Sequence, residues 1–192
     1  MTLASSNATL AIFTPNETEV PNGGQVALVK RALGIGQQGL AALQFQGQDV
    51  GHQQSSAALW DGVLPRGTNG YTGTTGIKAL VTWAGPKQSQ AVVWAGSFQL
   101  DGATDLPAPA AENFPVNGAA NEVSVTAPCN VVTPSGMVQT LLSIPLAKIQ
   151  NGQTTAPTAG DHYRFRLRRA VDNAADTLTD YAYVYSVELY DY

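Results

Sequence analysis

Gly34-Ile35-Gly36-Gln37-Gln38-Gly39 spells the dinucleotide-binding fingerprint letter for letter. That chemistry needs a strand before the glycines, a helix after them and an acid about 20 residues on, so that a pyrophosphate rests on the helix N-terminus. Val26 to Leu33 reads as a strand and Asp61 stands near the right distance, but Leu40 to Phe45 reads as a second strand. The run is therefore expected to be the connection of a hairpin. Asp172, Asn173, Asp176 and Asp180 offer the oxygens a calcium ion takes, but their spacing misses the EF-hand pattern. The same residue types make ordinary turns. His52 and His162 have no partner at metal-ligand spacing, and the single cysteine, Cys129, permits no internal disulfide and no thiolate cluster. Neither a Gly-x-Ser-x-Gly elbow nor an HExxH helix occurs. The expectation is no catalytic residue, no metal and no cofactor.

More telling are the arginines. Arg164, Arg166, Arg168 and Arg169 are four of only ten basic residues and fall within six positions. On a regular strand Arg164, Arg166 and Arg168 project from one face, where like charges repel unless carboxylates lie opposite. Those carboxylates belong either to the same chain or to a partner, for which Arg is well suited by its bidentate fork. Five of the seven tyrosines, Tyr181, Tyr183, Tyr185, Tyr190 and Tyr192, lie in the last twelve residues. A strand carrying Tyr181, Tyr183 and Tyr185 suits a face half covered by another subunit, with rings buried and hydroxyls wet. Alternatively, exposed tyrosines form a stacking platform for a sugar together with Trp60, Trp83 or Trp94, although tryptophans on such strands more commonly serve the core. Arg164, Arg166, Arg168, Tyr181, Tyr183 and Tyr185 are thus the candidate interface residues.

These side chains must be positioned by strands. Apolar alternation with period two recurs throughout the chain, and no stretch keeps a 3.6-residue period for three turns. The strongest strands are His162–Arg169, Tyr181–Leu189 with its odd-numbered residues on one face, Ala91–Leu100 with Gly96 as a bulge or close approach, and Gly76–Trp83. Ala8–Phe13, Val26–Leu33, Leu40–Phe45, Glu122–Ala127 and Val138–Ile144 follow. Turn residues separate them at Pro21-Asn22-Gly23-Gly24, Asp61-Gly62, Asp101-Gly102, Pro134-Ser135-Gly136 and Asn151-Gly152, and Pro145 to Gln150 suits one helical turn with Ile149 inward. Gly47–Ser56 and Asp101–Asn121 read as long surface loops. The fold class is all-β, an antiparallel sandwich or barrel.

The 192 residues suffice for one domain, here 25–192, preceded by 1–24 as an arm or edge strand. Charged residues make up 12% of the chain, about half the usual share, and the net charge is −4. A chain that is 44% apolar with so little net charge is not intrinsically disordered. Ten bases against fourteen acids provide no field for nonspecific nucleic-acid binding, and no apolar run approaches the roughly 20 residues that span a bilayer. Met1 to Phe13 lacks a basic stretch, so no secretory signal is expected. So little charge on a folded surface implies that other copies or a large partner cover much of it.

From Gly160-Asp161-His162-Tyr163-Arg164-Phe165-Arg166-Leu167-Arg168-Arg169, through Asp172 and Asp176-Thr177-Leu178-Thr179, to the Tyr181–Leu189 strand, the chain resembles a hairpin of tailed-phage virion proteins. Lys78 to Phe98, with its two tryptophan-bearing strands, is similar as well, so that the resemblance covers about residues 57–192. It implies a jelly-roll sandwich like those of capsid cement (decoration) proteins, which are often trimeric, or of tail and fibre head domains, without catalysis. The resulting expectation is a homotrimer that binds the major capsid protein on the outside of the shell, made in the bacterial host cytoplasm. A tail or fibre receptor-binding domain with carbohydrate affinity is the alternative. Met1 to Gly24 matches nothing in that pattern and is the candidate arm toward a neighbour.

Overall fold

The computed structural model describes residues 8–18, 26–31, 39–47, 57–66, 70–72, 75–86, 89–101, 122–129, 136–149 and 157–191. Among these residues ten strands run in chain order: β1 (Thr9–Phe13), β2 (Val26–Arg31), β3 (Leu40–Phe45), β4 (Ala57–Val63), β5 (Gly76–Ala84), β6 (Ala91–Asp101), β7 (Val123–Pro128), β8 (Met137–Pro145), β9 (His162–Arg169) and β10 (Ala182–Asp191). One helical turn, α1 (Leu146–Ile149), follows β8 and buries Ile149, as its Pro-led sequence predicts. The first sheet runs β2-β3-β10-β5-β8, with β1 also paired to β10, and the second runs β4-β9-β6-β7. All the pairings are antiparallel.

From β3 onward the strands pass between the sheets so that β3-β10-β5-β8 faces β4-β9-β6-β7, which is the strand order of a jelly roll. The core lies between them and is held by aromatic rings from both layers. Phe45 of β3 meets Trp94 of β6 edge-on at 5.1 Å, and Trp94 meets Trp83 of β5 at 5.6 Å. Phe13 of β1 stacks on Trp60 of β4 at 5.6 Å, so β1 contributes to the same core. Trp83 donates its indole N–H to the Thr140 hydroxyl at 2.8 Å, which lets a polar ring edge be buried without loss. Gly96 keeps regular pairing on both sides of β6. A Cβ there would lie 3.1 Å from Leu142 of the facing sheet, so this glycine marks a close approach of the two layers rather than a bulge.

Two sequence expectations are corrected. Asp61-Gly62 is not a turn but the middle of β4, paired with Arg164 and Tyr163. The glycine is there because any Cβ would fall 2.5 Å from the Tyr163 ring. The face shared by Tyr181, Tyr183, Tyr185, Val187 and Leu189 is also broken. Val184 pairs with Trp83 but Ser186 with Thr82, so Tyr185 is an extra residue in β10 and the alternation inverts there. Tyr183 consequently lies on the outer face, whereas Val187 and Leu189 are buried in the core.

The fingerprint glycines 34–36, residues 48–56, His52, residues 102–121, the turns at 21–24, 134–135 and 151–152, and residues 1–7 of the candidate arm lie outside the described residues. The strands on either side of the fingerprint, β2 and β3, pair antiparallel from Val26↔Phe45 to Arg31↔Leu40. The hairpin reading of that motif holds. Among the described residues no helix is long and apolar enough to cross a membrane.

Candidate functional site

Along β9 the side chains of Tyr163, Phe165 and Leu167 point into the core, and those of Arg164, Arg166 and Arg168 point to the outer face. Arg164 meets Asp61, its direct neighbour on β4, at 3.1 Å in the open. Arg166 and Arg168 instead converge on one carboxylate, Glu122, just before β7. Arg166 Nη2 donates to Glu122 Oε2 at 2.9 Å, while Arg168 donates from Nε to Oε2 at 2.8 Å and from Nη2 to Oε1 at 2.7 Å. A third bond, at 2.8 Å, ties Arg168 Nη1 to Asp172.

Glu122 stands two strands away from β9, so the arginines must lie across β6. They do so over Ala95, which pairs with Arg168, and Ser97, which pairs with Arg166. Small residues at these two positions leave room for the guanidinium stems. Burial holds the Arg166 pKa below its ordinary value, against the pull of Glu122. For Arg168 burial acts in the same direction, but the bonds to Glu122 and Asp172 outweigh it and its pKa is raised.

Arg169 departs from the alternation of charges. It pairs with Trp94, faces the sandwich interior and is fully buried. There it closes on Asp176 through Nη2–Oδ1 at 2.7 Å and Nε–Oδ2 at 3.0 Å. It also donates to the main-chain carbonyls of Leu178 and Asp180. Asp176 Oδ2 accepts the Val93 N–H at 3.1 Å, and the Thr177 hydroxyl accepts that of Ala91 at 2.9 Å, so the turn after β9 is stitched to β6. Asp172 and Asp176 are thus ion-pair partners, and Asp180 accepts the Tyr181 N–H. Among the described residues no group of three or more His, Cys, Asp and Glu is placed to hold a metal ion.

The opening of this hairpin has its own lock. The Asp161 carboxylate accepts the Thr158 N–H at 2.8 Å, and Leu64 exchanges main-chain bonds with Gly160 and Asp161. Gly160 sits at φ +100 with the Arg66 guanidinium where a Cβ would be, a place only glycine fills without strain.

On the first sheet the outer face presents a different surface. Arg31, at the end of β2, places its guanidinium 4.4 Å from the centre of the Tyr183 ring, and its Nη1 donates to the Tyr185 hydroxyl at 3.0 Å. Leu40, paired with Arg31, is exposed beside it, and Tyr181, just ahead of β10, is 41% exposed. Further along, Ile12, Glu188, Leu80 and Leu141 form one transverse row by strand pairing, with Ile12 59% and Leu141 40% exposed.

The six nominated residues therefore separate. Arg164, Arg166 and Arg168 lie on the second sheet, and Tyr181, Tyr183 and Tyr185 lie at the first. The partner that Arg166 and Arg168 require is Glu122 of the same chain, and their burial revises the nomination of these two as outward contacts. Sequence reading had no means of choosing Glu122, which is 44 residues from Arg166, and it passed over Arg31 altogether. Trp60, Trp83 and Trp94 are all core residues, so none is part of a sugar platform. His162 is exposed, and Cys129 is buried with its thiol pKa pushed up by that burial.

No protein-family model matches the chain, and no curated protein sequence does so. Among solved structures it is similar to CBM35 from Cellvibrio japonicus Abf62, at 9% identity over 94% of this chain and 92% of that one, with a TM-score of 0.46. That likeness is too slight to carry a statement about binding.

Proposed function

We propose that this chain is a non-catalytic structural protein of a phage virion, a homotrimer that clamps the outer surface of the capsid shell. The observation that carries the reading is the outer face of the first sheet. There Ile12, Leu40, Leu141 and Tyr181 stand exposed beside the half-buried Tyr183 and Tyr185, the composition of a protein contact rather than of a solvated face. The hairpin that resembles phage virion proteins supports the same role, because its arginines and aspartates are used to hold strands together. In such a protein, affinity for the shell comes from many modest contacts multiplied by threefold valency.

The test is native mass by sedimentation, followed by co-sedimentation with empty capsid shells. A species of three 20.1 kDa chains that pellets with shells is expected. A monomer that stays in the supernatant overturns the proposal. The alternative, a tail or fibre domain that binds carbohydrate, has Tyr181 as its available exposed ring. Glycan binding that Tyr181→Ala abolishes would put that reading first.

A further inference from the structure

We infer that Arg31, braced by Tyr183 and Tyr185, is an anchor that takes a carboxylate from a second copy of this chain. The inference deepens the self-association proposed above and rests on it. A guanidinium has five N–H donors in a rigid plane. Here the plane is placed over the Tyr183 ring, and one Nη1 hydrogen is given to Tyr185. Two aromatic contacts thus hold an otherwise flexible side chain in one orientation before any partner arrives, so less entropy is lost on binding. Among the described residues the Nε and Nη2 edge has no partner. That edge is the side-on fork that fits both oxygens of a carboxylate.

The charge inventory indicates where the carboxylate comes from. Fourteen acids face ten bases in the whole chain. Four of those bases, Arg164, Arg166, Arg168 and Arg169, are already closed on four acids of their own chain, Asp61, Glu122, Asp172 and Asp176, which leaves ten acids against six bases. What one copy offers another is therefore rich in carboxylate and poor in cations, and Arg31 is a preorganised exception. Exposed Leu40 and Tyr181 flank it with apolar surface. Arg and Tyr bordered by such surface are the residues that dominate binding energy at protein contacts.

The experiment is sedimentation equilibrium of the full chain at low and high salt, with melting curves for each variant and shell co-sedimentation in parallel. Arg31→Glu is expected to weaken self-association about 30-fold or more, and Tyr185→Phe, which removes only the brace, about 3- to 10-fold, with melting temperatures near wild type. Arg31→Gln should lose the salt dependence that the wild type shows. Arg31→Lys keeps the charge without the fork and should recover only part of the association. Should Arg31→Glu prevent folding, the Tyr185→Phe and Arg31→Lys results decide. Variants that fold and associate like wild type overturn the inference and leave the virion reading standing. A monomeric wild type whose shell binding is lost in Arg31→Glu also overturns it, and assigns the carboxylate to the shell. A wild type that neither associates nor binds shells overturns both.

Discussion

Arg169 Nη2 lies 2.7 Å from Asp176 Oδ1, and neither side chain exposes any surface to solvent. An ion pair in that position gains little over a well-packed apolar pair, because both charges were taken out of water. Its removal by halves is another matter. Arg169→Met leaves the buried Asp176 carboxylate without the guanidinium that balances its charge, and Asp176→Asn leaves the guanidinium without that carboxylate. Each is expected to cost about 3–5 kcal/mol in guanidinium-chloride unfolding. The double variant Arg169→Met/Asp176→Leu should cost clearly less than the two singles together. Additive losses would mean that the pair does not act as a unit.

Glu122 provides a sharper contrast. Glu122→Gln leaves Arg166 and Arg168 as two buried like charges with weaker acceptors, and a loss of about 3 kcal/mol is expected. Arg164→Ala, which breaks the exposed pair with Asp61, is expected to cost less than about 1 kcal/mol. Urea melts of the two variants side by side check the ranking, and similar losses would refute it.

Gly62 is opposed by a ring that leaves no space for a methyl group. Tyr163 is buried and stacks on Phe98 at 4.7 Å, so it has nowhere to retreat. Gly62→Ala should therefore lose about 1–3 kcal/mol through overpacking. Tyr163→Leu removes the ring that the methyl group strikes, and adding Gly62→Ala to it should cost much less than Gly62→Ala does alone. Equal costs in the two backgrounds would place the clash elsewhere.

Alkaline pH acts through the buried phenols. Burial pushes Tyr163 up to about 12, and burial together with Asp191 and Asp161 pushes Tyr71 up to about 12. In the unfolded chain both ionise near the ordinary phenol value of 10. Between those values the unfolded state has lost protons that the folded state still binds, so stability must fall as pH rises. Below the unfolded pKa the contribution is fully present. Melting temperature is expected to drop steeply between pH 10 and about 12, together with a late phenolate titration in ultraviolet absorbance. A midpoint for all the tyrosines near the unfolded value, with a flat melting temperature, would refute it.

How far the fold was legible follows from what each feature depends on. β3 and β9 have the bounds that alternation assigns them, and Ile149 turns inward as the short helical turn requires. These are local patterns. β4 was hidden because Asp61-Gly62 looks like a turn until Tyr163, about a hundred residues away, explains the glycine. The bulge at Tyr185 leaves no mark in the residue types, since tyrosine suits either face of a strand. The arginine strand was legible as needing acids, but which acids depended on topology. Glu122 comes within reach only because Ala95 and Ser97 on the intervening strand are small. Arg31 carried no signal at all in sequence, because its two tyrosines are about 150 residues downstream.

In the first sheet, β2 and β3 on one side and β5 and β8 on the other are joined through β10, which follows all four of them in the chain. While the chain is emerging from the ribosome, the first sheet exists as two half-sheets with no hydrogen bonds between them, each with an open edge toward the missing strand. Closure comes in one late step that brings residues more than a hundred positions apart into register, and contacts so distant in sequence make folding slow. Open edges of that kind invite strands from neighbouring nascent chains. Until β10 arrives those edges must be kept from other chains, and chaperone occupancy should be highest in that interval.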